Sequence, residues 1–174
     1  MKDFLGKKLE KIRIKNVLPH IEGRLLDVGS GMNNLVRQYG NGLGVDVYPW
    51  EGSNVVVENT AYMPFSNKEF DTVSIIAALN HIPNRSEVIL ECCRVLKPKG
   101  KLIITMLPPR ISRVWHLIRS PWDADQKERG MKEGEVYGMT GAQIISLVER
   151  KGFKLETSRK FMLGINNLYI FRKV

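Results

Sequence analysis

The chain has 174 residues, with 43% apolar and 26% charged. This fits one globular domain that buries roughly 70% of its unfolded surface without a disulfide or metal staple, and excludes disorder, collagen and coiled coil as whole-chain readings. The formal charge of +9 is uneven: residues 25–91 carry three basic and eight acidic side chains, whereas residues 92–122 carry seven basic ones and no acid. The longest apolar runs, around 73–79 and 102–107, fall short of the roughly 20 residues of a membrane span. The N-terminal stretch interleaves charge with apolar residues, unlike a signal peptide, so the expected location is cytoplasmic.

In residues 4–20, Phe4, Leu5, Leu9, Ile12, Val17 and Leu18 fall mostly at helical spacing with lysines between them. This predicts an amphipathic N-terminal helix ending by Pro19 and Gly23. Residues 24–28 are a short apolar run entering a Gly-Ser-Gly turn, and a short helix is expected over 33–39. Further strands are expected at 42–47, 55–58, 70–79 and 101–107, the last two nearly continuous apolar runs of the kind covered on both faces. Residues 86–97 read as a helix, and it carries the two neighbouring cysteines, Cys92 and Cys93. Adjacent thiols are poorly placed for a disulfide and too few for structural zinc, so they read as small buried residues.

Residues 108–139 read as an insertion, basic and aromatic over 110–119 and polar over 123–138. Thr140 is placed to cap a helix running to Arg150, and residues 154–161 and 166–173 form a closing β-hairpin. The succession predicts one doubly wound α/β domain over 1–174: a mostly parallel seven-stranded Rossmann-like sheet with a C-terminal antiparallel hairpin.

Chemistry concentrates at the first turn. Gly29 and Gly31 stand where the chain leaves a strand for a helix, which needs a tight turn and lets a ligand approach the backbone. Seventeen residues after Gly29, Asp46 ends the second strand, where a nucleotide-binding sheet places the carboxylate that accepts from a ribose. The third glycine of a dinucleotide fingerprint is replaced by Asn34, and Asp27 stands two residues before the turn. A carboxylate there repels a pyrophosphate and attracts a cation, so a positively charged nucleoside suits the site better than a dinucleotide.

In these motifs the chain resembles the class I S-adenosylmethionine-dependent methyltransferases, closest to the small-molecule branch that includes the ubiquinone and menaquinone C-methyltransferases. The resemblance rests on residues 25–31, 45–47, 59–65, 70–73, 80–83 and 96–100 in order. It implies that Gly29, Ser30 and Gly31 line the methionine and ribose part of the cofactor, with Asp27 near its ammonium group. Asp46 would hold the ribose hydroxyls, Val47 would pack on adenine, Asn59 and Thr60 would flank the ring, and Ala78 would contact the methionine end. The chain departs from the family in having Asn59 where an Asp is usual and Asn33 at the third glycine position of the loop.

His81, just past the fourth strand, is the candidate general base, against the alternative that it holds its loop. Tyr62 and Tyr137 are candidates to face substrate. Residues 110–122 would be a lid or a peripheral membrane contact. The expected reaction moves a methyl group from S-adenosylmethionine to an oxygen, nitrogen or carbon of a small or lipid-like acceptor, leaving S-adenosylhomocysteine. No metal is implied, because no His, Asp or Glu cluster has ligand spacing. A nucleic-acid acceptor, suggested by the charge, is disfavoured because residues 80–83 read Asn-His-Ile-Pro rather than the Asp/Asn-Pro-Pro-aromatic motif of amino-methylating enzymes. A non-catalytic cofactor-binding module is the third reading. The oligomeric state is left open.

Overall fold

The computed structural model describes residues 4–109, 111 and 134–174. In chain order the elements are α1 (Phe4–Val17), β1 (Leu25–Val28), α2 (Asn34–Tyr39), β2 (Gly42–Asp46), β3 (Val55–Val56) and β4 (Phe70–Ile76), then α3 (Arg85–Val95), β5 (Leu96–Met106), α4 (Gly141–Glu149), β6 (Phe153–Phe161) and β7 (Asn166–Lys173). The strands form one seven-stranded sheet in the order β3-β2-β1-β4-β5-β7-β6. The first five are mutually parallel, and β7 runs antiparallel to both β5 and β6.

Strand alternation divides the core into two layers. Leu26, Val28, Val73, Ile75, Leu102 and Ile104 face one way, onto Val88, Ile89, Cys92 and Val95 of α3 and Ile144 and Val148 of α4. Leu25, Ile103, Leu168 and Ile170 face the other way, onto Ile14 and Val17 of α1 and Leu35 and Val36 of α2. Ile14, outside the expected helix pattern, is as much a core residue as Val17. Each such fully buried side chain contributes about 1.5–3 kcal/mol. Of the two thiols, Cys92 is buried and Cys93 half-buried, and neither is in a disulfide.

Four boundaries differ from the sequence reading. β3 shortens to two residues, with Val56 half exposed. The fourth strand stops at Ile76 because Ala77 takes a left-handed φ of 53°, and residues 79–81 form a 3-10 turn. The helix expected over 86–97 ends at Val95, and β5 starts at once, its pairing with β4 skipping from Leu96 to Lys101 around Lys99 at φ 62°. The N-terminal helix ends at Val17, with a 3-10 turn over 18–20. Elsewhere the expectations hold: Thr140 accepts from the Gln143 N–H while the Gln143 side chain accepts from the Thr140 N–H, a capping box.

Sheet order places the site. From β1 the chain moves outward through β2 to β3, then returns to β4 on the other side of β1. Doubly wound sheets open a crevice at the carboxyl ends of the strands where the order reverses.

Candidate functional site

A cavity of about 210 Å³ lies at that reversal, lined by Gly29 and Gly31 after β1, Asp46 and Val47 at the end of β2, Thr60 after β3, and Ala77, Ala78 and His81 after β4. Gly29 has φ +71°, and a Cβ there would stand 2.6 Å from that of Ala78, so glycine alone lets the turn close against the β4 loop. Gly31, at φ +52°, has open space where a Cβ would be. Its N–H donates to Asp46 Oδ2 at 2.9 Å, and the Tyr48 N–H donates to Oδ1 at 3.1 Å. Asp46 is thereby fixed in the cavity wall, and a carboxylate with about four acceptor positions keeps capacity for a pair of hydroxyl donors.

Asn33 takes the place of a loop glycine by adopting a left-handed φ of 61°, a conformation in which Asn is several-fold enriched among non-glycine residues. It adds what glycine lacks: Nδ2 donates to Asn54 Oδ1 at 2.7 Å and to the Gly52 carbonyl at 3.1 Å, pinning the β2–β3 connection. Gly44 completes this packing, because a side chain there would run into Asn33 Oδ1 and Ser30 Oγ. The Ser30 Oγ is itself buried without a hydrogen-bond partner.

Asp27 is 3% exposed and lies outside the cavity lining, on the sheet face covered by α1. Its Oδ1 accepts from Ser74 Oγ at 2.5 Å. Burial pushes the carboxyl up to about 7; the Ser74 hydrogen bond opposes this, and the negative charges of Asp46 and Glu10 add to the rise. Glu10 comes from α1, where Oε1 accepts from Asn34 Nδ2 at 2.7 Å. Three carboxylates thus gather around the glycine turn, a setting that favours a cationic ligand.

Of the ten residues singled out from the sequence, Gly29, Gly31, Asp46, Val47, Thr60, Ala78 and His81 line the cavity, while Asp27, Ser30 and Asn59 do not. Asn59 uses its carbonyl within its own turn, accepting from the Ala61 N–H at 2.9 Å and from Asn84 Nδ2 at 3.0 Å. Tyr62 is 78% exposed, and neither it nor Tyr137 lines the cavity. The segment 110–122, read as a lid or membrane contact, lies outside the described residues apart from 111. The sequence reading missed Trp50, Ile76, Ala77 and Ile82 in the lining. Trp50 packs its ring 4.6 Å from that of Tyr48, and the aromatic pair just after Asp46 was the available signal.

No helix among the described residues is long and apolar enough to cross a membrane. The residues present suit a cationic nucleoside: an anchored carboxylate for hydroxyls, glycines for close approach, and apolar walls from Val47, Trp50 and Ile82. Residues 24–104 match the model of a methyltransferase domain. An uncharacterized protein of Methanocaldococcus jannaschii is 28% identical over 152 residues, covering 83% of this chain and 71% of that protein. A sterol 4-C-methyltransferase of Caenorhabditis elegans is 31% identical over 72% of this chain, which spans 42% of that enzyme's length. Among solved structures, the 1,6-didemethyltoxoflavin-N1-methyltransferase of Burkholderia thailandensis, crystallised with that acceptor and S-adenosylhomocysteine, superposes with a TM-score of 0.67 at 13% identity, covering 93% of this chain and 76% of that one. With this sheet order, this glycine turn and the match over residues 24–104, the chain belongs to the class I S-adenosylmethionine-dependent methyltransferases.

Proposed function

We propose that the protein moves the methyl group of S-adenosylmethionine to an oxygen, nitrogen or carbon of a small or lipid-like acceptor in the cytoplasm. The observation that carries this reading is Asp46, held in the cavity wall by the Gly31 and Tyr48 amides beside a turn that only glycine can close. Asp46 would accept from both ribose hydroxyls. Val47 and Trp50 would pack on the adenine, Thr60 would border it, and Gly29, Gly31 and Ala78 would enclose the methionine end. Asp27 and Glu10, behind the turn, would offset the ligand's positive charge. The bound cofactor supplies an electrophilic methyl group on a sulfonium, and the protein's part is to align an acceptor with it and keep water out. The relatives' acceptors include a sterol and a fused heterocycle, which supports a small or lipid-like acceptor here.

Calorimetric titration with S-adenosylmethionine and S-adenosylhomocysteine, with NAD as control, tests the cofactor. Saturable binding of the first two, weakened at least tenfold in Asp46→Ala, is expected from losing charge-assisted hydrogen bonds of about 1.5–3 kcal/mol. No binding to folded wild type rejects the reading. A methyl-transfer screen with a quinol, a sterol and a primary amine then sorts acceptor classes. A nucleic-acid acceptor is the second reading, favoured by the exposed lysines Lys7, Lys8, Lys11 and Lys15 on α1. It predicts RNA binding that weakens steeply with salt.

A further inference from the structure

We propose that Glu135 and His81 work as a carboxylate–imidazole pair, with His81 taking the proton that the methyl acceptor loses and Glu135 positioning its ring. This rests on the methyl-transfer reading and deepens it, because it restricts acceptors to compounds whose attacking atom carries an exchangeable proton: a hydroxyl, an amine, or a C–H activated by a neighbouring carbonyl.

The pair joins two segments far apart in sequence. His81 Nδ1 stands 3.4 Å from Glu135 Oε2. The Glu135 side chain is 2% exposed and the His81 side chain 23%, so the carboxylate is buried while the ring borders the cavity. The surrounding backbone holds this contact from both sides. The Val136 N–H donates to the Asn80 carbonyl at 2.9 Å. Arg85 donates from Nε to the Leu79 carbonyl at 3.0 Å, and from Nη2 to the carbonyls of Asn80 at 3.2 Å and Gly134 at 2.8 Å. One guanidinium therefore ties the turn before His81 to the residue before Glu135. The charged groups facing His81 are Glu135 on the 134–137 segment, Arg85 on α3, on which the Glu135 charge acts, and Asp46 across the cavity.

A buried carboxylate is costly unless paired and hydrogen-bonded. Pairing with Nδ1–H satisfies Glu135 and selects the tautomer in which Nε2 carries the lone pair. In the step proposed, the acceptor's X–H bond breaks and its electron pair forms the new X–CH₃ bond. The proton goes to Nε2. The S–CH₃ bond breaks with its electrons staying on sulfur as the thioether, so the sulfonium charge is lost as the imidazolium gains one. The Glu135 carboxylate stabilises that imidazolium until its proton passes to solvent.

The test uses ¹⁵N NMR of the histidine rings in the cofactor-free protein, wild type against Glu135→Gln and Glu135→Asp. Only three histidines are present, and His81→Asn identifies the resonance. The proposal expects the Nδ1-protonated tautomer in wild type, and a His81 titration shifted down by about one unit in Glu135→Gln and largely restored in Glu135→Asp. A dominant Nε2-protonated tautomer, or a titration indifferent to the Gln substitution, overturns it. If Glu135→Gln does not fold, the wild-type tautomer decides. S-adenosylhomocysteine binding is measured on the same samples: its absence in wild type sinks the methyltransferase reading, whereas normal binding with the wrong tautomer sinks only the pair. On an acceptor from the quinol, sterol and amine screen, His81→Asn should lower kcat by about 10²-fold or more with cofactor affinity unchanged. An unaltered kcat refutes the base.

Discussion

Ser74 and Asp27 stand directly opposite each other in the parallel β1–β4 register, and the Ser74 hydroxyl donates to the Asp27 carboxylate at 2.5 Å. Neither side chain reaches solvent. One hydrogen bond is a small return for burying a carboxylate, and Asp46 and Glu10 add negative charge nearby. The folded chain therefore holds an acid that ionises reluctantly behind the glycine turn. Such local cost is commonly kept where a ligand makes use of it.

Asp27 binds its proton more tightly in the folded chain, with a value of about 7 against an ordinary 3.8. The folded state thus holds the extra proton between those values, and this group's contribution to stability falls as pH rises from 4 to 7. Asp27→Asn keeps an acceptor for Ser74 and removes the charge. In cofactor-free protein its melting temperature should match wild type near pH 4 and exceed it by about 5 °C at pH 8. Its affinity for S-adenosylmethionine should fall roughly tenfold or more, from loss of the ammonium partner. A stability difference that does not vary between pH 4 and 8 refutes the account.

The turn at Gly29 makes two separable demands, a φ of +71° and the absence of a Cβ facing Ala78. Gly29→Ala should cost about 2–4 kcal/mol, combining left-handed strain of 1–2 kcal/mol with overpacking. Adding Ala78→Gly removes the overlap and leaves the strain, so the double variant should recover about half the loss. Denaturant unfolding of the four proteins measures the coupling; strict additivity shows that the two residues do not meet.

Asn33 combines a left-handed backbone with two side-chain hydrogen bonds. Asn33→Gly keeps the first and loses the second, at about 1–2 kcal/mol; Asn33→Ala loses both and should be worse by about 1 kcal/mol. The expected stability order is Asn, Gly, Ala, and an alanine variant at least as stable as the glycine variant contradicts it.

On the other side of the sheet, Glu91 of α3 accepts the Met63 N–H and both arms of Arg94 at 2.7 Å, and Arg94 also donates to the carbonyls of Phe65 and Met63. Burial alone would raise the Glu91 carboxyl, but Arg94 and the Met63 amide hold it below its ordinary 4.5. A depressed value stabilises above pH 4.5 and is lost as pH falls through the folded value. Glu91→Gln should therefore cost about 2 kcal/mol near neutrality, discounted because Arg94 is partly exposed. The gap should narrow below pH 4.5, measured as paired thermal melts.

What the sequence disclosed was local and periodic. Gly29 and Gly31 announced positive φ, Asp46 its place at a strand end, and Thr140 with Gln143 a helix start, because each signal lies within a few residues. Ser74, Glu10 and Glu135 stayed hidden because their roles come from partners 47, 24 and 54 residues away. Asn33 looked like a defect in the glycine loop because its left-handed backbone and its grip on Asn54 exist only once the loop is folded. Asn59, placed by analogy beside an adenine, proved to be occupied by Ala61 and Asn84.

The layer beneath α1 also has a consequence for how the protein is made. Ile14 and Val17 pack with Phe161, Leu168 and Ile170 of the β6–β7 hairpin, roughly 150 residues later. A helix synthesised first must wait, its apolar face uncovered, until that hairpin leaves the ribosome and slots β7 beside β5. At 5–20 residues per second that wait lasts about ten seconds or more, so the nascent chain spends this interval as a client for whatever shields apolar helices.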